Sequence, residues 1–149
     1  MSIRNLDALF SPTTIALIGA SNRPGSVGAV LARNLFDAGF EGPILTVNPR
    51  ERAIRSALNY HTVSELPLAP DLAIIATPPD TVPGLIRELG ECGCRAAVVI
   101  TAGFGEGEHA DGQVLKQAML DAAKPYLMRI VGPNCLGVLA PHRGINASF

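Results

Sequence analysis

The sequence predicts one α/β domain in which helices cover both faces of a mostly parallel β-sheet, and two patterns support this prediction. Short apolar runs alternate along the chain with segments in which apolar residues recur every three or four positions. The apolar runs lack the polar alternation of a half-exposed strand, which is typical of strands covered on both faces. Strand, helix and strand, repeated with right-handed crossovers, give a doubly wound, Rossmann-like sheet.

Five apolar runs are the predicted strands, and each is closed by small or turn-forming residues. They are residues 14–18, 44–47, 72–76, 96–100 and 129–131. In an open parallel sheet, ligands bind at the carboxyl ends of the strands, where the strand order reverses. The Gly, Pro, Thr and Asn residues that follow these runs are therefore expected at the edge where a ligand would lie.

Helices are predicted between the strands from the spacing of apolar residues. One covers 27–35 and stops at Gly39, one covers 82–89 behind Asp80 as its N-cap, and one covers 114–122 before Pro125. A short helix is expected over 5–10, and only short helical pieces are expected over 50–66.

Length and composition fit a single domain and exclude several classes of partner. The chain has 149 residues, of which 48% are hydrophobic, and its formal net charge is −1. This balance gives no general reason to bind nucleic acid or an anionic membrane, and no run is apolar enough to span a bilayer. The first ten residues lack a signal peptide, so we expect a cytoplasmic protein. The three cysteines match neither a redox motif nor a zinc site, and we interpret them as small buried residues.

A glycine-rich segment between the first strand and the first helix is the candidate phosphate-binding loop. Glycines allow backbone N–H groups to approach an anion, and the start of the following helix adds free N–H groups and a positive dipole end. The candidate residues in this loop are Gly19, Ala20, Ser21, Arg23, Gly25, Ser26 and Gly28. Its spacing matches neither the G-x-G-x-x-G fingerprint nor a Walker P-loop, and a ligand-free turn is the alternative interpretation.

The end of the second strand indicates which nucleotide is favoured. NAD sites place an acid there, whereas a ribose phosphate requires a cation. This chain has Asn48-Pro49-Arg50, and Glu51 is the only acid nearby. The cation favours a nucleotide with an extra ribose phosphate, either NADP or coenzyme A (CoA), unless Arg50 is a solvated surface charge.

Five motifs then carry a resemblance to a known family. They are Gly19-Ala20-Ser21, Val47-Asn48-Pro49, DLAIIATPP at 71–79, Thr101-Ala102-Gly103-Phe104 and RIVGPNCLG at 129–137. In these motifs the chain resembles the N-terminal CoA-binding domain of the ADP-forming acyl-CoA synthetases. That superfamily includes the α subunit of succinyl-CoA synthetase and bacterial protein lysine acetyltransferases with a fused GNAT domain. The resemblance covers nearly all of residues 1–149 and implies the N-terminal part of a longer multidomain protein.

The resemblance implies a role for each matching segment, with CoA or acyl-CoA as the cofactor. The glycine loop would hold the CoA diphosphate, and residues 47–50 would flank the adenosine. Thr77 and Pro78 would border the adenine, and residues 101–104 would face the pantetheine arm. Asn134 would border the same site. Ala102 stands where succinyl-CoA synthetase has Glu, so any role of that acid is absent here.

The sequence indicates binding rather than catalysis. His61, His109 and His142 match none of the family's functional contexts, no histidine lies near Cys135 in sequence, and no metal-ligand cluster is recognised. The expected partners are the small-molecule nucleotide and later domains of a parent synthetase or acetyltransferase, with self-association left open. The alternative functions are an NAD(P)-binding oxidoreductase domain and a non-catalytic regulatory domain.

Overall fold

The computed structural model of the chain describes residues 2–105 and 110–149. In these residues the strands are β1 (Ile15–Ile18), β2 (Ile44–Val47), β3 (Ala53–Ile54), β4 (Ala57–Tyr60), β5 (Leu72–Ile75), β6 (Ala96–Val99), β7 (Arg129–Val131), β8 (Gly137–Ala140) and β9 (Ile145–Ser148). The α-helices are α1 (Leu6–Phe10), α2 (Val27–Asp37), α3 (Val82–Glu91) and α4 (Ala110–Ala123). Short 3₁₀ turns cover Val63–Glu65, Pro79–Thr81, Lys124–Tyr126 and Pro141–Arg143.

The main sheet has the order β3-β4-β2-β1-β5-β6-β7, and all of its neighbours are parallel except β3 and β4. From β1 the chain builds outward through β2 to β4 and then returns to the other side of β1 to add β5. The strand order therefore reverses between β1 and β5, which confirms the doubly wound, Rossmann-like class. Ile18 is in register with Val47 and Ile75, so the residues that follow these three strands emerge at one level of the sheet edge.

The core consists of two layers, one on each face of the sheet. In β1, Ala16 and Ile18 belong to the layer that includes α3 and α4, whereas Ile15 and Leu17 belong to the layer under α1 and α2. Every residue of β1, β5 and β6 is buried, as the unbroken apolar runs predicted. No helix in the described residues is long and apolar enough to cross a membrane.

The predicted strands and helices are confirmed, two local predictions are wrong, and one hairpin was not predicted. Residues 50–66 form the antiparallel β3–β4 hairpin before the 3₁₀ turn at Val63–Glu65, so they are not only helical. Asp80 lies inside the 3₁₀ turn Pro79–Thr81, and Thr81 takes the N-cap position of α3 without a side-chain hydrogen bond. The β8–β9 hairpin was not predicted, and it packs β9 on α2.

Candidate nucleotide-binding site

A hollow of about 400 Å³ opens at the carboxyl edge of the sheet, at the point where the strand order reverses. Its walls come from the residues that follow β1, β2, β4 and β5 and from one face of α3. The lining residues outside the strands are Gly19, Asn48, Pro49, His61, Thr62, Val63, Ala76, Thr77, Pro78, Thr81, Leu85 and Glu88. A hollow of about 430 Å³ lies at the opposite edge, near Pro12 and Phe40, and contains none of the predicted site residues.

Close packing explains two of the glycines in the loop. Gly19 has a φ of +93°, and a Cβ on it would overlap the carbonyl oxygen of Ala76 at the end of β5. A Cβ on Gly28 would overlap the carbonyl oxygen of Gly19, so this glycine lets α2 start directly against the end of β1. Gly25 differs, because its Cβ would meet no atom within 4 Å and only its φ of +76° favours glycine. The glycines therefore place the first turn of α2 beside the hollow.

The start of α2 is capped by Ser26. Its hydroxyl oxygen accepts a hydrogen bond from the N–H of Ala29 at 3.2 Å, and its hydroxyl donates to the carbonyl of Arg23 at 2.8 Å. The N–H groups of Val27 and Gly28 come before that of Ala29, the first that bonds to the Ser26 carbonyl, so they lie at the positive dipole end of the helix. Because the Ser26 hydrogen is used within the loop, these N–H groups are the better anion donors. The Ser21 hydroxyl oxygen accepts a hydrogen bond from the N–H of Arg23 at 3.0 Å, and its hydrogen has no acceptor among the described residues.

Two asparagines fix the loop to the neighbouring strand ends. Asn48 donates to the carbonyl of buried Ala20 at 2.8 Å, and its side-chain oxygen accepts from the N–H groups of Arg50 and Glu51. Asn22 donates to the Glu51 carboxylate at 3.1 Å and to the carbonyl of Ala53 at 2.9 Å. The Asn48 amide therefore holds two loops together rather than projecting freely into the hollow. Asn22 was not predicted as a site residue, because it belongs to no recognisable motif.

The ribose corner next to β2 is basic. Arg50 and Arg23 are exposed, neither lines the hollow, and neither guanidinium bonds to a residue that the structure describes. Glu51, the acid that could mark an NAD site, is held by Asn22 and does not line the hollow. Pro49 lies between Asn48 and Arg50 on the wall of the hollow. The end of β2 is thus followed by an unpaired cation, Arg50, and by an acid that is hydrogen-bonded to Asn22.

The remaining predicted residues form a second group farther along the strand ends. Thr101 donates to the carbonyl of Thr77 at 2.8 Å, and the carbonyl of Thr101 accepts from the N–H of Asn134 at 3.0 Å. These bonds join the ends of β5, β6 and β7. Pro78, Ala102 and Gly103 are exposed, whereas the Phe104 side chain is 2% exposed and packs in the core.

A smaller hollow of about 280 Å³ lies beside this second group. Phe104, Gly105, Gly132, Pro133 and Asn134 contribute to its lining, together with Gln113 and Lys116 from α4. Thr101–Gly103 and Asn134 thus do not line the main hollow, although they continue the same sheet edge away from it.

The described residues near the site carry no activated nucleophile. Burial raises the pKa of the Cys135 thiol, which donates to the carbonyl of Val99 at 3.4 Å. Cys94 is buried, but Cys92 is exposed, contrary to the interpretation of all three cysteines as buried. His61 lines the hollow and His142 lies at the opposite edge, while His109 falls outside the described residues. Within 2–105 and 110–149, no cluster of three or more His, Cys, Asp or Glu side chains could hold a metal ion.

A glycine loop and an open hollow at the switch point of a doubly wound sheet define a nucleotide-binding domain. A family model described as a CoA binding domain matches residues 13–141. The chain belongs to this family of CoA-binding domains, and CoA is its cofactor. The matches do not favour the NAD(P)-dependent or regulatory alternatives.

Three similar proteins illustrate the relationship. The alpha subunit of the ADP-forming acetate–CoA ligase I of Pyrococcus furiosus is 39% identical over 150 residues, which cover 97% of this chain and 32% of that subunit. A crystal structure of a protein from Pyrococcus horikoshii OT3 matches 97% of this chain and 33% of its own, with a TM-score of 0.90 and 39% identity.

The third is the dinucleotide-forming acetyl-coenzyme A synthetase 1 of Ca. Korarchaeum cryptofilum, in complex with phosphate and ADP. The match covers 96% of this chain and 30% of the synthetase chain, with a TM-score of 0.89 and 37% identity. The chain spans about a third of the length of the curated relatives it matches first.

Proposed function

We propose that this chain is the CoA-binding domain of a longer ADP-forming acyl-CoA ligase, and that it positions the cofactor for chemistry performed by other domains. The ligase and synthetase names of the similar proteins favour a ligase over an acetyltransferase parent. The raised pKa of the Cys135 thiol supports a binding role at this edge of the sheet, because a thiolate is the nucleophilic form.

The CoA diphosphate binds against the glycine loop in this proposal. The N–H groups of Val27 and Gly28 and the positive end of α2 attract the phosphates, and Arg23 adds a positive charge. Gly19 and Gly28 let α2 start directly against the strand ends, because neighbouring carbonyls leave no room for a side chain, and so bring these N–H groups to the loop. Ser21 donates its free hydroxyl to the same group.

The adenosine occupies the 400 Å³ hollow, and its 3′-phosphate points toward Arg50. The hollow has the size expected of a small-ligand site and is lined mainly by apolar atoms. Thr77 and Pro78 border the adenine, and from the diphosphate the pantetheine arm leaves in the other direction, toward Thr101–Gly103 and Asn134. This path follows the hydrogen-bonded ends of β5, β6 and β7.

One observation carries the proposal. Gly19 belongs both to the glycine loop and to the wall of the hollow, so a diphosphate on the loop and a base in the hollow can belong to one molecule.

Filling the hollow tests this placement. Thr62 is exposed on the rim and lines the hollow, whereas Ser64, its partner in a 3.0 Å hydrogen bond, does not. Thr62→Trp and Ser64→Trp both break that bond, but only Thr62→Trp introduces an indole beside the hollow. We expect titration calorimetry to show a loss of CoA affinity of about tenfold or more for Thr62→Trp, equivalent to about 1.4 kcal/mol, and little change for Ser64→Trp. Equal CoA affinity in both variants would place the adenosine elsewhere.

The role of Arg50 is tested with CoA and 3′-dephospho-CoA. We expect Arg50→Ala to reduce the preference for CoA by about fivefold, since an exposed guanidinium–phosphate pair contributes about 1 kcal/mol. Arg87→Ala removes a cation from the exposed side of α3, outside the hollow, and serves as the control. A preference for CoA that survives Arg50→Ala unchanged would exclude Arg50 as the phosphate ligand.

A further inference from the structure

A buried asparagine fixes the turn that carries Arg50. Asn59 belongs to β4 and is 6% exposed. Its side-chain amide donates to the carbonyl of Asn48 at 2.9 Å and to the carbonyl of Glu51 at 2.8 Å. These two carbonyls belong to the residues that flank Pro49 and Arg50 in the chain. One side chain therefore ties both ends of the turn together, and Arg50 lies between the fixed ends.

The turn is also held from within. The Asn48 side-chain oxygen accepts hydrogen bonds from the N–H groups of Arg50 at 2.8 Å and Glu51 at 3.2 Å. The Glu51 carboxylate accepts a further bond from Asn22 at 3.1 Å. The Arg50 guanidinium, by contrast, bonds to no residue that the structure describes. The backbone around Arg50 is therefore fixed, while the charged end of its side chain stays open to an anion.

Stability alone does not explain an asparagine at position 59. Asn is depleted in strands, and burying an amide is costly where one of its polar atoms stays unpaired. The Asn59 side-chain oxygen is buried and has no hydrogen-bond partner among the described residues. The same is true of the hydroxyl of Thr46, the neighbour of Asn59 in register on β2. A residue that breaks a local rule in this way is expected where function requires it, which here is the turn that its N–H groups hold.

We propose that Asn59 is a positioning residue for the 3′-phosphate of the cofactor, because it shapes the turn at 48–51 so that the Arg50 guanidinium meets that phosphate. This inference rests on the proposed function, since it assumes that Arg50 is the phosphate ligand. Asn59 does not line the hollow and acts only through the turn. A residue that no sequence motif marks thereby affects which ligand is preferred.

The test measures the preference for CoA over 3′-dephospho-CoA by titration calorimetry on the 149-residue chain. Asn59→Ala removes the amide, and Asn59→Val removes it while filling the position with a side chain that strands favour. We expect each variant to reduce the preference about threefold, because Arg50 is present but no longer held in place. The affinity for 3′-dephospho-CoA, which lacks the phosphate, should change much less.

Asn34 supplies the matched control. Its side-chain amide also donates to a backbone carbonyl, that of Ser148 at 2.8 Å, and joins α2 to β9 outside the hollow. Asn34→Ala removes a hydrogen bond of the same kind, so it should lower the thermal midpoint by a few degrees, as Asn59→Ala does. The preference for CoA should nevertheless stay unchanged in Asn34→Ala.

A double-mutant cycle separates a positioning role from a structural one. If Asn59 acts through Arg50, Asn59→Ala should cause no further loss of preference in a chain that already carries Arg50→Ala. A purely structural role would instead lower the affinity for both ligands alike, with or without Arg50.

Two results would overturn the inference: an unchanged preference for CoA in both Asn59 variants, or a loss of preference that is the same with and without Arg50. If Arg50→Ala by itself narrows the preference in that case, the proposed function stands and only the positioning role fails. If Arg50→Ala leaves the preference unchanged, the assignment of the phosphate to Arg50 fails first, and the inference fails with it.

Discussion

The contact between Gly28 and Gly19 predicts that two chemically identical substitutions have opposite effects on stability. Gly28 and Gly84 both lie in the first turn of a helix, α2 and α3 respectively. A methyl group on Gly28 would overlap the carbonyl oxygen of Gly19 and lie 3.2 Å from its carbonyl carbon and 3.3 Å from the Cβ of Ser21. A methyl group on Gly84 would have no neighbour within 4 Å.

The magnitudes follow from these distances. Replacing an open helical glycine with alanine stabilises a helix by about 0.5–1 kcal/mol, so Gly84→Ala should raise the free energy of unfolding by about that amount. Gly28→Ala gains the same helix propensity, but overpacking against backbone costs about 1–3 kcal/mol. We therefore expect Gly28→Ala to be about 2 kcal/mol less stable than Gly84→Ala, which corresponds to about 4–8 °C in thermal midpoint.

Urea unfolding and a CoA titration of both variants check this reasoning. Gly84→Ala should keep its CoA affinity, whereas Gly28→Ala should weaken binding because α2 must move away from the end of β1. The packing argument is refuted if Gly28→Ala proves as stable as Gly84→Ala, since the added methyl group would then meet no obstacle.

Two further predictions concern parts of the chain outside the hollow. Burial raises the pKa of the Asp71 carboxyl, but hydrogen bonds from the N–H and hydroxyl of Thr13 and from Arg95 outweigh it and hold the pKa below its ordinary value of 3.8. Because the folded-state pKa is the lower one, this stabilisation is complete above about pH 4 and is lost as the pH falls through the folded value. Asp71→Asn should therefore lower the free energy of unfolding by about 1–2 kcal/mol at pH 7 and by less at pH 3. Urea unfolding at both pH values measures this difference. An equal loss of stability at both pH values would exclude the ionised carboxylate as its cause. Burial also raises the pKa of Cys94 to about 12, so iodoacetamide should modify exposed Cys92 in the native chain and Cys94 only after unfolding, with peptide mass spectrometry as the measurement. Early modification of Cys94 would contradict its burial.

Most of the main sheet was predictable because its strands carry the pattern that their environment requires. Runs such as those of β1 and β6 are apolar at every position, and the structure buries every position. The β3–β4 hairpin was missed because its turn uses Arg55 and Ser56 at φ values of +49° and +67°, where hairpin turns usually carry Asn and Gly. Without those residues, two very short strands leave no recognisable signal.

Gly19, Asn48, Pro49, Thr77 and Pro78 were singled out from the sequence and line the hollow, whereas its helix side was not predicted. The glycines and Asn48-Pro49-Arg50 lie in one short stretch after each strand, so their residue types indicate a ligand edge before the fold is known. His61 and Glu88 reach the hollow only because β4 lies beside β2 and α3 packs against the turn after β4. These contacts depend on strand order and helix packing, which a local sequence pattern does not indicate.

The hydrogen bonds at the sheet edge occupy several hydroxyl and thiol groups that could otherwise act on a ligand. The hydroxyls of Ser26, Thr81 and Thr101 all donate to backbone carbonyls, and Cys135 donates to the carbonyl of Val99. These groups stiffen the strand ends and are unavailable as nucleophiles, whereas the N–H groups at the start of α2 and the guanidinium of Arg50 stay open to an anion. The groups that remain open at this edge are thus suited to binding an anion, as the proposed function requires. In the proposed function, a reaction at the CoA thiol draws its reacting groups from other domains.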